Sequence, residues 1–143
     1  MTSTVLPDAS TPFGARVAER LRTEPVIWLT TVAADGTPQP NPVWFIADGP
    51  RILVYNRTNA VRLRHIQRNP RVALHFNATA NGGDVVVLVG TATIRDDQPP
   101  CYEVPAYVAK YGKRAAEISG TVEAFAAEYA VAVRIDVDRV RGF

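Results

Sequence analysis

The sequence predicts a mainly β single domain: an antiparallel barrel or half-barrel of six strands with peripheral helices. Three observations carry this. Short β-branched and apolar runs recur between turns rich in Gly, Asp and Asn. Two hairpins follow one another with no helix between them, and no regular strand–helix–strand alternation of the parallel kind appears. The length of 143 residues, with 47% hydrophobic and 21% charged residues, suits one globular core.

Residues 1–10 read as a flexible tail without the basic and apolar regions of a signal peptide. Residues 11–143 read as the domain. Thr11 can cap a helix that Pro12 begins, and Phe13, Val17 and Leu21 recur on one face as far as Thr23. Val26 to Ala33 is a strand, Asp35-Gly36 a tight turn, and Thr37 to Ala47 the returning strand. Asp48-Gly49-Pro50 turns the chain into a third strand, Arg51 to Asn56. A helix from about Asn59 to Arg68 stops before Asn69-Pro70. Arg71 to Asn77 and Asp84 to Arg95 are strands around an Asn81-Gly82-Gly83 turn, and Gly90 marks a bulge or a close backbone approach. Gln98 to Gly112, which Pro105 either splits or starts, and Thr121 to Tyr129 are helical. Val131, Val133, Ile135 and Val137 alternate with polar residues in a last strand, Ala130 to Arg141.

Charge is unevenly placed. The formal net charge is only +2, yet no Asp or Glu occurs between Gly49 and Gly83, where Arg51, Arg57, Arg62, Arg64, Arg68 and Arg71 and both histidines lie. Removing those six from the 16 basic residues leaves ten against 14 acidic ones. Either this is a basic solvated surface or it meets an anionic ligand; the completeness of the segregation favours the ligand. The low overall charge argues against nucleic acid as the partner. No apolar run reaches the ~20 residues that span a bilayer, and the single Cys101 excludes an intrachain disulfide framework, so a cytosolic protein is expected.

Familiar catalytic sets are missing: no Gly-x-Ser-x-Gly, no phosphate loop ending Gly-Lys-Ser/Thr, no Gly-x-Gly-x-x-Gly. His65 and His75 read as packing or surface residues, and no metal site is expected. Cys101 lacks an activating partner and reads as inert. Pro38, Pro40 and Pro42 alternate along one strand, so their missing N–H donors lie along one edge. That edge is either guarded against aggregation or left open beside a flat ligand. The junction Tyr55-Asn56-Arg57-Thr58-Asn59-Ala60-Val61-Arg62 joins a strand to a helix within the acid-free stretch. Free N–H groups, the helix dipole and guanidinium groups together suit a phosphate; the alternative role for Thr58 or Asn59 is that of helix cap alone.

At these residues the chain resembles the split β-barrel flavin-binding family typified by pyridoxamine 5′-phosphate oxidase, and looks most like its actinobacterial branch that uses the deazaflavin coenzyme F-420. The likeness spans nearly the whole chain and includes Asp35, Gly36, Pro38, Pro42, Val43, Trp44 and Phe45. It implies a six-stranded split barrel and a homodimer holding the cofactor in the groove between barrels. It further implies hydride transfer between the coenzyme and a small electron-poor substrate, with no catalytic residue of the protein's own. Cofactor contacts would come from Asn41, Pro42, Val43 and Trp44, whose backbone lies along the ring. Further contacts would come from Tyr55, Asn56, Arg57, Thr58, Asn59, Arg62 and Arg64 around the phosphate and tail. Side chains of the second subunit, among His75, Phe76, Asn77, Tyr102, Tyr107 and Tyr111, would complete the pocket. The oxidase branch's phosphate motif, Tyr-Thr-x-x-x-Ser-Arg-Lys, falls on Tyr55, Asn56, Ala60, Val61 and Arg62. Ala60 and Val61 depart from it by removing a hydroxyl and an arginine, which argues for F-420 over FMN. An FMN-binding oxidoreductase and a non-catalytic carrier of a flavin or tetrapyrrole are the alternatives.

Overall fold

The computed structural model describes residues 5–143. A helix α1 (Pro12–Thr23) precedes β1 (Ile27–Val32), β2 (Pro38–Val43), β3 (Ile46–Asp48) and β4 (Arg51–Asn56). Then come α2 (Val61–Arg68), β5 (Arg71–His75) and β6 (Val86–Ile94). A 3-10 turn (Cys101–Glu103), α3 (Pro105–Ser119), α4 (Val122–Glu128) and β7 (Val131–Gly142) complete the chain. Thr11 caps α1 by accepting from the Gly14 N–H, as its position before Pro12 predicts. Of the expected tail, residues 1–4 lie outside the described residues, while Val5 and Leu6 pack half-buried against the core.

All strands belong to one antiparallel sheet in the order β2-β1-β5-β6-β7-β4-β3. The two edge strands are consecutive in the chain and separated only by Trp44 and Phe45. A link of three Cα steps spans at most about 11 Å, so the sheet must curl until its edges nearly meet. The result is a half-barrel whose interior is filled by Ile27, Leu29, Phe45, Ile52, Val54, Leu74, Leu88 and Ile135, each at most 1% exposed.

The strand count is therefore seven, not six. The run expected as one strand from Thr37 to Ala47 breaks because its halves pair with different partners, β2 with β1 and β3 with β4. At the break the backbone of Phe45 is satisfied by α3: its N–H donates to the Tyr111 hydroxyl at 2.9 Å, and its carbonyl accepts from Lys110 Nζ at 2.9 Å. The prolines lie opposite Trp28, Thr30 and Val32. Ala33 N–H donates to the Thr37 carbonyl, which fixes the ladder phase. The hydrogen-bonded rows thus fall on Gln39, Asn41 and Val43, and the prolines turn their donor-free sides to the open edge.

Gly90 combines both expected features. It sits at the register shift between Val89 and Gly90, and a Cβ there would lie 2.4 Å from the Asp136 carbonyl oxygen. Two further boundaries differ from the expected ones. The helix expected from Gln98 starts only at Pro105, where proline suits the first turn, and runs on to Ser119. Helix α2 begins at Val61, with Ala60 at the cap and no side-chain cap bond, so neither Thr58 nor Asn59 caps it. Among the described residues no helix is long and apolar enough to cross a membrane.

A second apolar cluster lies on the outer side of β4 and β7, beneath α3 and α4, and contains Tyr55, Cys101, Tyr107, Tyr111, Phe125 and Ala132. Cys101 is fully buried and burial pushes its thiol pKa up, which leaves it inert. Lys110 lies at the edge of this layer, with Nζ 3.8 Å from the Phe45 ring centroid. Desolvation lowers its pKa from 10.5 to about 8, against a weak opposing pull from Glu24. Below about pH 8 the amine is charged in folded and unfolded chains alike, and the folded state bears the full desolvation penalty. Between about pH 8 and 10.5 the unfolded chain keeps a proton that the folded chain has released, so this contribution favours folding increasingly as pH rises. Urea denaturation should show native protein gaining stability relative to Lys110→Met across that window; a pH-independent difference would contradict the assignment.

Candidate functional site

A cavity of about 420 Å³ opens between the curled sheet and the α3–α4 pair. One wall is the end of β2 and the link that follows it: Pro42, Val43 and Trp44. Its floor is Tyr55 of β4, and the segment leading into α2 adds Arg57, Asn59, Ala60 and Arg62. Tyr107 and Ile118 of α3 and Phe125 and Tyr129 at α4 form the opposite wall. The size and the mixture of aromatic wall and few cations suit a drug-sized planar anion.

Arg62 is the best-defined cation here. Its Nε donates to Asn56 Oδ1 at 2.6 Å. Asn56 is fully buried, and its Nδ2 donates to the carbonyls of Val54 and Val131, both at 3.1 Å. The amide is thereby locked with its oxygen towards Arg62, and it aims the guanidinium into the cavity. Burial lowers the Arg62 pKa from the usual arginine value, and no carboxylate among the described residues pairs with it. A partly desolvated, oriented and unpaired guanidinium is a site that an anion would stabilise.

Arg57 differs. It is exposed, lies 3.4 Å from Glu128 Oε2, and covers the Tyr129 ring at 4.9 Å. Tyr55 keeps its ring in the floor, while its hydroxyl donates to the Pro99 carbonyl at 2.6 Å; burial raises its pKa. Trp44 stacks against Tyr111 at 4.6 Å and against Phe125 at 5.4 Å between centroids, so its faces are engaged by the chain's own rings.

Of the predicted set, Pro42, Val43, Trp44, Tyr55, Arg57, Asn59 and Arg62 converge on this cavity, and Asn56 stands directly behind it. Asn41 lies exposed along the edge strand β2. Thr58 and Arg64 line a separate cleft with Gln67 and Asp96 on the other flank of α2, because helical geometry turns positions 62 and 64 away from each other. Tyr107 lines the cavity from the same chain, and Tyr111 and Phe76 are buried within it. Ile118, Phe125 and Tyr129 escaped the sequence reading. The i, i+4 spacing of Phe125 and Tyr129 was their signal, but it equally fits packing on a sheet.

The family model for pyridoxamine 5′-phosphate oxidase matches residues 13–143, nearly the whole chain. The chain belongs to this family. No curated protein matches this oxidase-family chain. Among solved structures it is similar to the heme storage protein HutZ of Vibrio cholerae, with 15% identity over 92% of this chain and 95% of that one, and a TM-score of 0.68. It is also similar to an F420 reductase, with 22% identity over 86% and 94% of the two chains and a TM-score of 0.61. A third relative in shape is a Clostridium acetobutylicum protein related to general stress protein 26, of the pyridoxinephosphate oxidase family. It shares 14% identity over 88% and 84% of the two chains, with a TM-score of 0.66. At these identities the structural likeness is one of fold.

The Asn56 bonds make a specific demand on stability. Asn56→Ala would strip a second hydrogen bond from two carbonyls that keep their ladder partners and would leave the Arg62 Nε without its acceptor, and should cost about 1–3 kcal/mol. Chemical denaturation checks this; a loss below about 0.5 kcal/mol would mean that water replaces the amide.

Proposed function

We propose that the protein is an F-420-dependent oxidoreductase acting on a small electron-poor substrate. The single observation that carries this reading is Arg62, oriented by buried Asn56 and lacking a carboxylate partner, at a cavity walled by Pro42–Trp44 and aromatic rings. The bound coenzyme would supply the hydride chemistry. The chain's own residues would bind, orient and shield it: Arg62 and Arg57 at the phosphate, the β2 end along the ring, and Tyr55 beneath it.

Preference for the deazaflavin over FMN rests on what surrounds Arg62. Ala60 borders the cavity with a methyl group where the oxidase motif places a hydroxyl, and Val61, in place of its arginine, is 54% exposed. The phosphate grip is therefore reduced to two arginines. Arg64, on the neighbouring cleft that shares Asn59 and Ala60 with the cavity, is placed to meet a longer acidic tail. A structural relative named as an F420 reductase is consistent with this reading.

Parallel titrations with F-420 and FMN, read by tryptophan fluorescence, test it. Trp44 borders the cavity, whereas Trp28 stacks on His75 at 6.1 Å on the outer sheet face. Quenching should therefore persist in Trp28→Phe. F-420 should bind more tightly than FMN, and Arg62→Ala should weaken it about tenfold or more. Preference for FMN would move the protein to the flavin branch. Binding of neither coenzyme would overturn the reading and leave a carrier of another planar ligand, haem included, to be sought.

The same reading makes the protein a homodimer. The outer face of β1, β5 and β6 carries half-buried Trp28, Val32, Ala73, His75, Val87 and Val89 beside the proline-lined edge. An apolar sheet face of this kind suits a self-complementary interface. Light scattering should give a dimer that Val89→Glu converts to monomer with loss of coenzyme affinity. A native protein that is monomeric at assay concentrations would overturn the dimer.

A further inference from the structure

Helix α4 closes the cavity with its own chemistry. It is seven residues long, follows Gly120 at φ 91°, and is capped by Thr121. Among the described residues, Arg57 ties the end of α4 to the body of the protein: it donates to Glu128 Oε2 at 3.4 Å and also hydrogen-bonds Tyr129. The next residue, Tyr129, lies under the same guanidinium, and Phe125 stacks on Trp44. An acidic group on Arg57 and a flat ring on Trp44 are the contacts that a planar anionic ligand would itself make.

We propose that Glu128 is a specificity-determining residue: its carboxylate competes with the ligand's anionic group for Arg57, so that only ligands carrying such a group displace α4's hold. The proposal rests on the cavity being the coenzyme site. Glu128 and Arg57 are each about half exposed, at 44% and 54%. Exposed pairs of this kind are weak, so the hold is easily exchanged for a better anion yet still discriminates against a neutral ring. Arg62, aimed from the fixed side by Asn56, has no such competitor and sets the basal affinity. Glu128 sets the difference between anionic and neutral versions of one ring.

The test compares native protein, Glu128→Gln, Arg57→Ala and the double variant in titrations with F-420, FMN, riboflavin and inorganic pyrophosphate. Riboflavin shares the ring of FMN without its phosphate. Glu128→Gln should tighten F-420, FMN or pyrophosphate binding about 2–5-fold, leave riboflavin unchanged, and have no effect once Arg57 is alanine. An equal gain for riboflavin, a gain that persists without Arg57, or no gain for a bound anion would overturn the competition and leave the coenzyme reading standing. Pyrophosphate binding with the expected gain, but no coenzyme binding, would uphold the competition and overturn the coenzyme reading. Failure of all four proteins to bind any of these anions would overturn both.

Discussion

Two residues hold this architecture in its curled form. Trp44 and Phe45 join the strands at opposite ends of the sheet order, and a link that short leaves the sheet no flat conformation. Phe45 enters the barrel core, completely buried, while its backbone is held by Tyr111 and Lys110 from α3. Trp44 faces the other way and enters the aromatic layer under α3 and α4. One dipeptide thus closes the sheet, seats a helix on its outside and builds one wall of the cavity. The fold and the site share this constraint, so neither can be altered there without the other.

The charge distribution changes meaning once the chain is folded. In sequence, six arginines stand in an acid-free stretch. In space, Arg51, Arg57 and Arg71 meet Asp136, Glu128 and Asp138, all supplied by the acid-bearing C-terminal third. What remains is a smaller and more directed cation site than the linear pattern suggests. Arg62 stands out because it is desolvated, oriented and unpaired. A buried asparagine achieves this where an aspartate would have neutralised it, since an amide accepts a hydrogen bond without carrying charge. The exposed pairs contribute little to stability, and their worth lies in where they leave charge free.

The cavity is a junction of two kinds of wall. The sheet side, from Pro42 to Arg62, is fixed by ladders, by the prolines' enforced geometry and by the Asn56 amide. The helical side is held mainly by aromatic contacts, Phe125 stacked on Trp44 and Tyr107 edge-on to Tyr55, with one exposed ion pair across the mouth. Stacking is broad and tolerant, whereas ladders and buried amide bonds are directional. A ligand entering here meets recognition groups that are rigid on one side and exchangeable on the other.

The sequence alone determined the kinds of element and most of their limits. Period-two alternation, the Asp-Gly and Gly-Gly turns, Pro12 after Thr11 and the lone Gly90 act through local sterics and hydrogen bonding, which a linear reading can follow. It also located the segment around Tyr55 to Arg62, because a strand-to-helix junction rich in arginine is a local feature. Tertiary structure decided which arginines are free, since carboxylates 71, 85 and 67 residues distant from Arg57, Arg51 and Arg71 fill the others' partnerships. It decided that the strand through Trp44 must break, because the partners of its two halves lie at opposite sheet edges. It also brought Ile118, Phe125 and Tyr129 to the site. Their apolar spacing specifies that they are buried, but burial is non-directional, and only packing determines against what.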